Sequence, residues 1–87
     1  MRRASRTDAN QAEIIKSLRN IGARVYYIKE PCDLLVDYRK RWIVLEVKVE
    51  GGRLTQKQIQ FIAETTAPVH IVRDSREAIE IVVEEGK

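Results

Sequence analysis

The stretch "DLLVDYRKRWIVLEVK", residues 33–48, decides the fold. "DLLVD" and "WIVLEVK" are rich in β-branched and large apolar residues, and polar "YRKR" separates them. Runs of this kind, bounded by a short polar turn, read as a β-hairpin. Side chains alternate along a strand. Trp42, Val44, Glu46 and Lys48 therefore share one face, and Ile43, Leu45 and Val47 the other. Closing the hairpin over a four-residue loop, Tyr38 to Arg41, sets Asp37 opposite Trp42 and Asp33 opposite Glu46. Cross-strand neighbours lie about 5 Å apart at Cβ, and like charges there destabilise the pair.

Such a pair calls for a compensating partner. A hard divalent cation, Mg²⁺ or Mn²⁺, takes oxygen ligands, commonly one or two carboxylates with waters and a phosphate oxygen. Asp33 and Glu46 are the candidate metal ligands, and Lys48, two residues on, is placed to orient an attacking water or stabilise transition-state charge. The bland alternative is a solvated strand end at Asp33 and an exposed Glu46–Lys48 ion pair. The combination of all three residues in register favours the site.

Working outward, "TDANQAEIIKSLRNIGA" predicts a helix over residues 8–21, with Asp8 as N-cap, Gln11 completing a capping box, and Gly22 as the C-terminal stop. "RVYYI", residues 24–28, reads as a strand that "KEPC" breaks at Pro31. Past "EGG", residues 50–52, "LTQKQIQFIAETT" predicts a second helix. Its N-cap is Thr55, its N3 residue Gln58, and Leu54 with Ile59 form a hydrophobic staple. "PVHIV" is a fourth strand, and "DSREAIEIVVEE" a last helix capped by Asp74 or Ser75, with a strand the competing reading of its β-branched centre. The order α-β-β-β-α-β-α is a mixed α/β domain, helices packed on a small sheet. Residues 1–7 read as a basic flexible tail and 8–85 as one domain.

The 87 residues are one-third charged, and the single cysteine, Cys32, excludes an internal disulfide and a Cys-rich zinc cage. That usage, with no secretory signal and no membrane-spanning run, fits a cytoplasmic protein. Residues 1–57 carry 13 Lys or Arg against seven Asp or Glu, and residues 58–87 three against six. A basic first two-thirds suits a polyanion partner, although an ordinary solvated surface would carry the same charges. A chain this short builds a limited core, which makes a homodimer the expected assembly.

Asp33, an apolar strand, then Glu46-Val47-Lys48 resembles the Asp…Glu-x-Lys signature of the PD-(D/E)xK nuclease superfamily. Together with "DANQAEIIKSLRNIGARV", "CDLLVDYRKRWIVLEVKVEGGRLTQKQ" and "PVHIVRDSREAIE", the chain is similar to the small stand-alone VRR-NUC domains of phages and bacteria. The resemblance implies a restriction-endonuclease-like core and a metal-dependent DNA endonuclease. It puts the metal ligands on Asp33, Glu46 and the Val47 carbonyl, and the catalytic lysine on Lys48. It implies further site roles for Glu13 and Gln58, a homodimer, and branched, Holliday-junction-like DNA as substrate. Glu13 has a simpler reading as a solvated residue beside Asn10 and Ser17, and Gln58 as a helix cap. The sequence departs from the family at Glu30-Pro31-Cys32-Asp33, where the proline stands one place early.

Arg39, Lys40 and Arg41 at the hairpin tip, and Arg53 and Lys57 at the second helix, are candidate phosphate contacts; Arg2, Arg3 and Arg6 add a basic tail. Tyr26, Tyr27 and Phe61 could stack on bases, but core or dimer packing is the plainer expectation, as is Trp42 beneath a helix. His70 reads as a satisfied core or interface histidine, and Cys32 as a small buried filler.

Overall fold

The computed structural model describes residues 5–48 and 52–87, with side chains from residue 10 onward. The elements are α1 (Ser5–Asn20), β1 (Arg24–Tyr27), β2 (Leu34–Tyr38), β3 (Arg41–Val47), α2 (Gln56–Glu64), β4 (His70–Val72) and α3 (Ser75–Glu85), in the expected order. One four-stranded sheet runs β1-β2-β3-β4. β1, β2 and β3 form an antiparallel meander, and β4 joins β3 in parallel after the crossover through α2.

The hairpin register is the expected one: Asp37 pairs with Trp42, and the ladder runs on to Leu34 opposite Leu45. The loop is tighter than expected. Tyr38 pairs with Arg41, which leaves a two-residue turn of Arg39 and Lys40, both at positive φ, 53° and 69°. Two central residues with positive φ make the turn type whose twist matches the strands it joins, and the added pair leaves the register unchanged.

One face of the sheet is covered. Val25, Leu34, Val36, Ile43, Leu45, Val47 and Val72 bury their side chains with Ile14 and Leu18 of α1 and Ala78 and Val82 of α3. On α1, Ile14 and Leu18 lie four residues apart on one helical stripe, which is why this helix docks. It ends as the glycine suggested. Gly22 sits at φ 97°, its N–H donates to the Arg19 carbonyl, and the Ala23 N–H to that of Leu18. These two bonds form a Schellman motif.

Three expectations are corrected. α1 begins at Ser5, so Asp8 lies inside the helix and is not its cap, and residues 5–7 are helical rather than tail. The periodic apolar stripe said where the helix packs but not how far its first turn extends beyond it. Trp42 is 64% exposed and lies under no helix, because its strand position faces the side opposite α1 and α3. Tyr26 and Tyr27 are both largely exposed. Tyr26 faces the open side; Tyr27 shares the face of Val25 but belongs to an edge strand, where the covering layer gives out. Residues 1–4, with Arg2 and Arg3, and residues 49–51 of the "EGG" stretch lie outside the described residues.

α2 carries the expected capping box: the Gln58 N–H donates to Thr55 Oγ1 and the Thr55 N–H to Gln58 Oε1, at 3.2 and 2.8 Å. Ile59 of the expected staple stays largely exposed and Phe61 is half buried. The last segment is helical with Asp74 as N-cap, its side chain accepting from the Glu77 N–H. As a helix the segment packs Ala78 and Val82 into the core with Ile79 and Ile81 beside them, residues of both parities that a one-faced strand would split between its two sides. Among the described residues no helix is long and apolar enough to cross a membrane.

Candidate metal centre

Glu46 is the only acidic side chain fully buried among the described residues, at 1% exposure. It arrives there because β3 holds it on the face opposite Leu45 and Val47, at the end where α2 leans over the sheet. Gln58 Nε2 donates to Glu46 Oε2, and Lys48 Nζ lies 3.5 Å from the same oxygen. Gln58 thus caps α2 and also donates to Glu46. The alternative of a solvent-exposed Glu46–Lys48 pair does not hold.

Asp33 stands one position before the first paired residue of β2, beside Glu46. Its Oδ2 accepts the Val47 N–H at 2.8 Å, which ties the carboxylate to the backbone between the other two signature residues. A strand residue sends its N–H and C=O out on the same edge. The Val47 carbonyl therefore also leaves β3 toward Asp33. Lys48 follows, anchored to β4 through its N–H on the Val72 carbonyl at 2.9 Å.

Burial raises the Glu46 carboxyl from 4.5 to about 7, helped by the neighbouring Asp33, while Lys48 pulls the other way. The thiol of Cys32, fully buried nearby, is pushed up to about 11 by desolvation and then by Glu46 and Asp33. Such a thiol is a filler and no nucleophile at neutral pH. Glu46 Oε1 is buried without any hydrogen-bond partner among the described residues. An orphaned carboxylate oxygen in an apolar wall is costly unless something binds it.

The donor set fits a hard cation. Asp33, Glu46 and the Val47 carbonyl supply oxygen only, and the orphaned Oε1 is a ready ligand. Among the described residues no three His, Cys, Asp or Glu side chains converge, so waters and phosphate oxygens would complete the shell.

The remaining expected residues fall at different distances from this centre. Glu13 is exposed on α1, one residue and so about 100° around the helix from the buried Ile14. Among the described residues no hydrogen bond or ion pair joins it to Asp33, Glu46 or Lys48. The buried polar residue of that helix is Gln11, which sequence reasoning passed over as a capping partner. Its spacing of three from Ile14 and seven from Leu18 already put it on the apolar stripe. Lys57 and Gln58, with Thr55 and Gln56, line a cavity of about 570 Å³ shared with Lys29, Glu30 and Pro31. Lys57 Nζ lies 3.9 Å from Glu30, both exposed, and Arg53 is exposed just before α2. Arg39, Lys40 and Arg41 are exposed at the far end of the hairpin. His70 is half buried, with its Nε2 3.7 Å from Glu85 Oε2 at the end of α3.

Comparison of the chain with protein-family models, with curated proteins and with solved structures gives no match.

Proposed function

We propose that this protein is a metal-dependent DNA endonuclease of the PD-(D/E)xK kind, its site made by Asp33, Glu46, Val47 and Lys48. The observation that carries the reading is the unpartnered, fully buried Glu46 Oε1 beside a second carboxylate and a lysine. A structural ion pair leaves no oxygen orphaned; a cation site does so until the ion binds.

Mg²⁺ or Mn²⁺, held by the two carboxylates and the Val47 carbonyl, would acidify water and neutralise charge on phosphate oxygens. The chain's own residues do the rest. Asp33 is fixed by the Val47 N–H and Glu46 by Gln58, so neither acid needs to reorganise when substrate arrives. Lys48, 20% exposed, reaches the site from the solvent side and orients the water whose oxygen attacks phosphorus as the bond to one sugar oxygen breaks. Lys57 and Arg53 are close enough to the Gln58 end to hold flanking phosphates. Branched or duplex DNA as substrate, and a homodimer as the active assembly, belong to the same proposal.

The test is cleavage of branched and duplex DNA with and without Mg²⁺ or Mn²⁺, alongside Lys48→Ala. Metal-dependent cutting abolished by the variant, with Mn²⁺ binding retained by calorimetry, is expected. DNA binding without any metal-dependent cutting would instead make the chain a non-catalytic nucleic-acid-binding module.

A further inference from the structure

The side of the sheet opposite the core has no covering helix beyond the Glu46 end. Strand alternation puts Arg24 and Tyr26 of β1, Leu35 and Asp37 of β2, and Trp42 and Val44 of β3 on it. Leu35 and Val44 are half buried, while Tyr26 is 46% and Trp42 64% exposed. The two rings approach to 6.4 Å between centroids at a tilt of 52°, so neither seals the face of the other. Basic side chains flank them: Arg24 beside Tyr26, and Lys40 at the hairpin tip, while Arg41 alternates to the covered face and Arg39 lies over the Tyr38 ring, 5.5 Å from its centroid. Asp37, between Arg24 and Trp42 in register, is the one carboxylate among them. Glu46 lies on the same face of β3, four residues from Trp42, a distance of about 13 Å along a strand.

We infer that Tyr26 and Trp42 form a stacking platform for unpaired bases of a nucleic-acid strand, whose phosphates are held by Arg24 and Lys40 and which leads to the acidic centre. Aromatic rings on an open sheet face, with cations around them, are what binds single strands without regard to sequence. The separation of about 13 Å corresponds to about four stacked nucleotides, at about 3.4 Å each, or fewer extended ones. A substrate with unpaired nucleotides beside the cut would fit better than uninterrupted duplex. A second copy of the chain is the less suitable occupant. Aromatic side chains offer at most about 250 Å² each, so the exposed parts of these two amount to roughly 250–300 Å², against about 800 Å² per partner in a stable interface.

The inference takes from the nuclease reading only where the strand leads, and its test is independent of cutting. Trp42 is the sole tryptophan, so its fluorescence reports on this face alone. Titration of the full chain with a 12-nucleotide oligothymidine, in chelator, is expected to quench that fluorescence. By anisotropy, Trp42→Leu and Tyr26→Leu should each bind about 5- to 150-fold more weakly, the range that losing one base–aromatic stack implies, while Trp42→Phe keeps most of the affinity. Both substituted rings are exposed, and circular dichroism checks that the variants are folded. Oligothymidine binding with unchanged Trp42 emission and unaffected variants would overturn the inference. So would Trp42 emission that changes on dilution without DNA, with Trp42→Leu converting a dimer to monomer. Absence of metal-dependent cutting while quenching persists would sink the nuclease reading and leave the platform standing.

Discussion

Glu46→Gln replaces a buried acid that is reluctant to ionise with a neutral isostere, and its effect on stability can be worked from the site. Each unit of pKa corresponds to about 1.4 kcal/mol. Raising the folded-state carboxyl from 4.5 to about 7 therefore costs the folded protein about 3 kcal/mol once Glu46 is ionised. Between these two values the folded chain holds a proton that the unfolded chain has released. The contribution of Glu46 is thus fully present below pH 4.5 and is lost as pH rises to about 7. Glutamine keeps the shape and never ionises. In chelator, the variant and the native protein should be about equally stable near pH 4.5, with the variant ahead by up to about 3 kcal/mol at pH 8. Mn²⁺ should reverse the order at pH 8. At a thousand times its dissociation constant it would stabilise the native protein by about 4.1 kcal/mol, and the variant scarcely at all. Urea unfolding followed by far-ultraviolet circular dichroism at several pH values measures both effects. A difference between the proteins that stays constant with pH, together with equal responses to Mn²⁺, would refute the reasoning.

The same carboxyl sets the pH dependence of metal binding. Because a proton and the cation compete for Glu46, calorimetric Mn²⁺ affinity should fall about tenfold from pH 8 to pH 6, the direction expected for a group titrating near 7. Gln58→Ala removes both the reciprocal cap on Thr55 and the donor to Glu46. Denaturant unfolding should show a loss of about 1–2 kcal/mol, and Mn²⁺ affinity should change with it, which a mere cap mutation such as Thr55→Ala would not produce. Gly86→Ala should destabilise by about 1–3 kcal/mol in the same assay, since its new methyl would lie 2.6 Å from Cδ2 of Tyr38.

Much of this molecule is local physics that a sequence carries openly. The hairpin register followed from strand alternation and a polar turn, and it survived a wrong loop length because Tyr38 and Arg41 extend the ladder as a pair. The Thr55–Gln58 box and Gly22 stop were readable because capping involves residues three or four apart. The start of α1 was not, since a helix extends beyond its apolar stripe wherever nothing forbids it. Trp42 and Tyr26 were assigned to packing by residue type, yet type does not say which face of a sheet receives the helices.

The sequence by itself determined that Asp33, Glu46 and Lys48 share one end and one face of a hairpin, because period-two alternation and register fix that whatever packs around it. Only the tertiary structure decided that Glu46 is buried, that Gln58 reaches it from a helix twelve residues on, and that one carboxylate oxygen is left unpartnered. Burial and hydrogen-bond satisfaction depend on which elements close over a position, and for Glu46 the donor comes from Gln58 of α2.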